Sequence, residues 1–137
     1  KTALPVIGLM NEWKQNLKTF KLDKDNLGGS MRLGAYESIL KKNSKIFNIY
    51  NKKKITERHR HRYEVNINYK HLLEENGVLL SGISPDGNLA EVMEIKNHPW
   101  FIGVQFHPEL KSTPFNPHPI FNSFTQASLK LKKNDKR

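Results

Sequence analysis

Apolar positions along this chain come in short runs closed by glycine, proline or asparagine, and their spacing changes from stretch to stretch. Residues 4–10 (Leu-Pro-Val-Ile-Gly-Leu-Met) form one such run, which predicts a short buried strand with proline at its start. Residues 11–27 mix Lys and Asp without a clean period and read as a loop or a short helical excursion, closed by Gly28-Gly29-Ser30. Residues 31–36 predict a strand whose Gly34 marks a bulge or a close backbone approach. Ser44 is placed to cap a short helix through Tyr50. Arg58, Arg60 and Arg62 alternate with His59 and His61, a period of two that predicts a strand with arginines on one face and histidines on the other. Burial of unpartnered arginine is rare, so packing alone explains this pattern poorly.

Residues 68–76 predict a helix ended by Gly77, with Asn66 or Asn68 at its start. Residues 78–83 and 89–95 read as two strands joined by the turn Pro85-Asp86-Gly87-Asn88. Residues 101–106 predict a short buried strand that stops at His107-Pro108. A proline-rich loop follows. Pro119 then suits the first turn of a helix in which Ile120, Phe121, Phe124, Ala127 and Leu131 share a face, and the chain frays from Asn134. Strands mixed with helices predict an α/β fold, part of whose sheet is antiparallel.

The length of 137 residues suits one domain with a core, or part of a larger one, and the first residues read as though cut from something longer. No run approaches the roughly 18 apolar residues of a membrane span. There is no cysteine, which excludes disulfides, thiolate metal sites and a cysteine nucleophile within these residues. The 23 Lys and Arg against 13 Asp and Glu give a formal charge of +10. The lysines lie in scattered pairs and one triplet, the layout of a solvated surface more than of a nucleic-acid track.

His107 and Glu109 carry the candidate chemistry. In an extended segment residues i and i+2 share a side, so the carboxylate can orient the imidazole, as in the acid–base half of a nucleophile–His–acid triad. The bare spacing is also met by a strand-end histidine beside a solvated glutamate. Two further readings stand beside it. Residues 52–62, with Tyr50 and Tyr63 nearby, suit an RNA-binding module. His59, His61, His98, His107 and Glu109 have metal-ligand chemistry, but no spacing among them is diagnostic. Ser81, Ser84 and Ser112 lie on no Gly-x-Ser-x-Gly elbow.

Taken together, these stretches resemble the C-terminal part of the class I glutamine amidotransferase domain of the CTP synthase family. Gln105-Phe106-His107-Pro108-Glu109 is similar to the His-x-Glu signature shared by class I amidotransferases. Gly28-Gly29-Ser30-Met31-Arg32-Leu33-Gly34, the Arg/His strand from Glu57 to Asn66, Ser84-Pro85-Asp86-Gly87 and His118-Pro119-Ile120-Phe121 match further family landmarks in the same order. The resemblance runs from about Leu4 to about Leu129. A different class I amidotransferase, or a hydrolase of glutamyl amides, accounts for His107 and Glu109 but not for the Arg/His strand.

The resemblance implies an open mixed sheet flanked by helices, with His107 and Glu109 as catalytic residues and Arg62 holding the glutamine substrate. It implies no metal and no cofactor in these residues; ATP and magnesium belong to the complete enzyme. It places a partial glutamine amidotransferase domain over residues 1–137, with the nucleophile-elbow cysteine, the oxyanion donors and the synthetase domain upstream. The implied partners are glutamine and that synthetase domain, in a cytoplasmic homotetramer without nucleic acid or membrane. The 137 residues alone are expected to be inactive.

Overall fold

The computed structural model describes residues 6–9 and 31–134. The loop expected over residues 11–27 and the Gly28-Gly29-Ser30 break lie outside the described residues. Seven strands are described: β1 (Ile7–Leu9), β2 (Arg32–Leu40), β3 (Lys54–His61), β4 (Tyr63–Val65), β5 (Val78–Ile83), β6 (Ala90–Ile95) and β7 (Ile102–Val104). The helices are α1 (Lys45–Tyr50), α2 (Lys70–Glu75) and α3 (Pro119–Asn134), with 3-10 turns at Ile67–Tyr69 and Pro108–Lys111.

A five-stranded sheet has the order β3-β2-β5-β6-β7, and β1 pairs with β4 in a separate ribbon. Among the described residues every ladder is antiparallel, so they hold the antiparallel part of the α/β fold that was expected. The turn at Pro85–Asn88 sets this locally: it reverses the chain within a few residues, whereas a parallel neighbour needs a crossover of a dozen or more. Gly87, at φ 77°, supplies the left-handed residue of that turn.

Strand β2 is longer than its apolar residues suggest, because it is held by β3 from Arg32↔His61 to Ile39↔Lys54. Of the bulge or close backbone approach expected at Gly34, the described residues show neither: the pairing passes through it without a shift, and no atom among them lies within 4 Å of a Cβ built there. Gly34 instead takes φ 104°, a conformation that a residue with a Cβ rarely adopts. The irregularity in the sheet lies between Leu80 and Ile83 on β5.

Ser44 caps α1 as expected, its Oγ accepting from the Phe47 N–H at 3.1 Å. A second acceptor was not foreseen. Glu94, 2% exposed on β6, takes the Lys45 and Ile46 N–H groups at 3.0 and 2.9 Å. The α1 N-terminus thus ends on a buried carboxylate from the sheet. Asn66 accepts from the Asn68 N–H at 3.1 Å and opens the turn that leads into α2.

The larger core gathers Leu40, Ile46, Ile55, Val92, Phe106 and Ile120, and a smaller one Val65, Leu80 and Ala90. Two apolar stretches are less covered than predicted. Ile7 on β1 is 64% exposed, since its strand pairs only with the short β4. On α3 Ile120 is buried, but Phe124 and Leu131 are 54% and 56% exposed. Ile120 in the first turn is thus the buried residue of α3, while Ser123 and Phe124 in the next turn meet Trp100 at the edge of the core.

The strand expected over residues 101–106 is paired only over Ile102–Val104. Its end changes partners. Gln105 N–H still donates to Glu91 O on β6 at 2.9 Å, but His107 N–H donates to Arg58 O on β3 at 2.8 Å. Strands β3 and β7 are opposite edges of the sheet. The sheet therefore curls until its edges approach at His107.

Candidate active site at the meeting of the sheet edges

His107 and Glu109 do meet, though not as neighbours on one side of a strand. His107 is the extended residue before the 3-10 turn Pro108–Lys111, and Glu109 lies within that turn. The turn brings the carboxylate back, so that His107 Nδ1 and Glu109 Oε1 are 2.7 Å apart. Hydrogen bonding from the His107 ring, helped by a backbone N–H, holds the Glu109 carboxyl below the usual carboxylate range. An ionised carboxylate only accepts, so Nδ1 carries a proton, and whenever the ring holds a single proton the lone pair lies on Nε2. The side chains are 37% and 59% exposed. That is the arrangement of a general base that a third group orients, and it remains open to a reacting molecule.

Strand β3 runs beneath this turn, and its alternation is as predicted. Ile55, Glu57 and His59 are buried, while Lys54, Thr56, Arg58 and Arg60 are exposed. Arg58 and Arg60 therefore needed no buried partner. Arg62 is half-buried at the corner between β3 and β4, four residues beyond the Arg58 carbonyl that takes the His107 N–H.

Two polar groups inside the sheet escaped the sequence reading. In the first, Tyr50 Oη donates to Glu57 Oε1 at 3.0 Å, and His118 Nε2 lies 3.1 Å from Tyr50 Oη and 3.4 Å from Glu57 Oε1. Lys111 Nζ stands 3.2 Å from Glu57 Oε2 and donates to Thr56 O at 2.7 Å. Burial works against the ionised form of Glu57, but hydrogen bonds from His118, Lys111 and Tyr50 outweigh it and hold the carboxyl below its ordinary range. Burial, with Glu57 beside it, pushes the Tyr50 phenol upward.

The second group centres on Arg32, which is buried. Its guanidinium bridges Glu91 at 2.7 Å and Glu64 at 3.2 Å. His61 Nδ1 donates to Tyr63 O at 3.1 Å, so neutral His61 accepts at Nε2 from His59 Nδ1, 2.8 Å away. His59 then turns its bare Nε2 toward Glu91 Oε2 at 3.6 Å. Burial, followed by the positive Arg32, pushes His59 down to about 3. Burial raises Glu64 to about 7 against the pull of Arg32. No local signal marked these carboxylates: in a strand a charged residue between two apolar ones is the ordinary pattern of a solvent-facing position.

Among the described residues, no three His, Asp or Glu side chains gather in a way that would hold a metal ion. His98 instead accepts from the Trp100 N–H at 3.2 Å and meets Phe101 edge-on. No helix among the described residues is long and apolar enough to cross a membrane.

Comparison with known proteins places these features in a wider setting. Residues 7–127 match the family described as glutamine amidotransferase class-I. The chain is 59% identical over 128 residues to a CTP synthase of Pelagibacter ubique, covering 93% of this chain and 24% of that relative. It is 59% identical over 127 residues to a CTP synthase of Zymomonas mobilis, covering 92% and 23%. The chain thus spans about a quarter of the length of these curated relatives. Among solved structures, the glutaminase domain of the Trypanosoma brucei CTP synthase, bound to acivicin, superposes with a TM-score of 0.74 at 33% identity. That match covers 91% of this chain and 46% of the other. A GMP synthase protein of Thermoplasma acidophilum shares the fold at 21% identity and a TM-score of 0.59, covering 78% and 49%.

Proposed function

Because the chain belongs to the class-I glutamine amidotransferase family, we propose that His107 and Glu109 are the acid–base members of a Cys–His–Glu triad in the glutaminase domain of a CTP synthase. The observation that carries this is the 2.7 Å contact between His107 Nδ1 and Glu109 Oε1 on an accessible turn. The similarity to CTP synthases over 93% of the chain supports the choice of enzyme.

In this reading a cysteine outside the 137 residues attacks the amide carbon of glutamine. His107 Nε2 takes the thiol proton and delivers it to the departing ammonia, leaving a glutamyl thioester. His107 then deprotonates the water that hydrolyses the thioester, and free glutamate leaves. Glu109 keeps the imidazole in the tautomer this needs and stabilises the imidazolium between steps. Arg62 pairs its planar fork with the glutamine α-carboxylate.

The ammonia serves a synthetase domain, where UTP activated by ATP with magnesium becomes CTP; none of the residues described is assigned to those ligands. The synthetase domain is the proposed partner, in a cytoplasmic homotetramer, and residues 1–137 are part of one amidotransferase domain. Without a thiol, these 137 residues alone are proposed to be inactive.

The test is Glu109→Gln in the full-length protein, assayed for CTP formation with glutamine and with ammonia. Glutamine-dependent turnover falls by about 10²–10⁴-fold, in line with loss of the orienting carboxylate in other triads, while ammonia-dependent turnover persists. Equal loss with both nitrogen sources would overturn the reading.

A further inference from the structure

The turn that carries Glu109 is fastened to β3 at both ends. At the first, the His107 N–H donates to Arg58 O at 2.8 Å. At the second, Lys111 closes the turn and reaches Thr56 O at 2.7 Å and Glu57 Oε2 at 3.2 Å. Glu57 is a rigid anchor: it is 2% exposed, and Tyr50 of α1 and His118 at the foot of α3 hold its other oxygen. His118 is fixed in turn, since its Nδ1 accepts from the Ile120 N–H at 3.3 Å and its own N–H donates to Ser112 Oγ at 3.0 Å.

Glu109 differs from its anchor. Its side chain is 59% exposed, so surrounding packing does not lock its rotamer. The direction of its carboxylate follows from the backbone of the turn. Release of one end of the turn would leave His107 tethered through Arg58 while Glu109 drifted.

We propose that Lys111, anchored on Glu57, is a positioning residue of the glutaminase reaction that holds the turn so that Glu109 keeps its bond to His107. The proposal rests on the triad reading of His107 and Glu109. Its effect belongs to the chemical step more than to glutamine binding, because the imidazole tautomer matters when protons move.

The experiment is a double-mutant cycle in the full-length protein. Lys111→Met keeps the aliphatic stem and removes the donor; Lys111→Arg keeps a donor. Both are measured in the native background and in Glu109→Gln, with glutamine kcat and KM read separately. In the native background Lys111→Met lowers kcat by about three- to tenfold, modest beside the roughly 10²-fold that an ångström of misplacement can cost. KM moves by less than about twofold, and Lys111→Arg restores most of the loss. In the Glu109→Gln background the same Lys111→Met change costs less than about twofold, the non-additivity expected when one residue acts through another.

A full and additive loss in both backgrounds would show that Lys111 only supports the fold, and would overturn the proposal. So would an unchanged kcat, or a loss that Lys111→Arg does not restore. If Glu109→Gln is crippling and Lys111→Met is silent, the proposal alone falls. If Glu109→Gln leaves glutamine turnover intact, the triad reading falls and takes the proposal with it.

Discussion

Replacement of Glu64 by glutamine should change how stability depends on pH, and the structure gives both sign and size. Arg32 is one cation between two buried carboxylates, Glu64 and Glu91, whose side chains are 0% exposed. With His59 neutral, the trio carries a net negative charge when both acids are ionised. Burial raises Glu64 from 4.5 to about 7 even though Arg32 pulls the other way. In the unfolded chain Glu64 releases its proton near 4.5, and in the folded protein near 7. Between these values the folded state binds the extra proton, so the stability from Glu64 is full below 4.5 and is lost as pH rises through about 7. At about 1.36 kcal/mol per pH unit, that interval is worth up to about 3 kcal/mol.

His59 has the opposite sign. It is held down to about 3, so its contribution is full above 6.5 and is lost as pH falls toward 3. The two slopes oppose each other over part of the range, and a native pH profile alone separates them poorly. The difference between Glu64→Gln and native protein cancels His59. Glutamine mimics the protonated acid and cannot ionise. Urea denaturation followed by circular dichroism, at half-unit steps from pH 4.5 to 8, should show the variant gaining on the native protein by about 3 kcal/mol toward high pH. A difference that stays flat across this range would mean that Glu64 titrates in the fold as it does in the open chain, and the reasoning about the Arg32 cluster would be refuted.

Other positions give separate tests. Glu94→Ala leaves the part-buried Lys45 and the buried Ile46 N–H groups without the carboxylate that accepts from them; it should cost about 1–3 kcal/mol, with Glu94→Gln in between, and equal urea midpoints for all three proteins would contradict the cap. Gly34→Ala meets no atom within 4 Å, so any loss is that of φ 104° itself; the expected loss is about 1–3 kcal/mol, and a neutral result would show that β2 takes another conformation. Arg62→Lys in the full-length protein should raise the glutamine KM by about tenfold as a point charge replaces a fork; an unchanged KM would remove Arg62 from substrate binding.

What could be read from the sequence was what residues decide locally. Ser44, Asn66 and Gly87 each act within a few positions, and each cap or turn is where its residue type puts it. The β3 alternation was legible because period two needs no knowledge of a partner strand. Contacts assembled by the curl of the sheet were not. Arg32, Glu64 and Glu91 lie on three different strands, and each alone reads as a surface charge. Glu57 likewise gains its meaning only from Tyr50, Lys111 and His118. The pairing of His107 with Glu109 was expected, but through the wrong geometry: a side-by-side placement on a strand, where a 3-10 turn after proline does the work. Period-two reasoning cannot see that turn, since the ladder ends at Val104 and Pro108 opens the turn before the carboxylate.

The hydrogen bond from His107 to Arg58 also bears on the order in which the protein folds. It joins strands that lie at opposite edges of the sheet, so it cannot form when any single hairpin forms. The hairpins β2–β3 and β5–β6 can each assemble from nearby sequence, but the span from Arg58 to His107 closes only once the intervening strands are aligned and coiled. The placement of the His107–Glu109 turn against β3 is therefore expected to form late in folding. Amide hydrogen exchange at His107 then reports closure of the whole sheet, not the stability of the turn in which it sits.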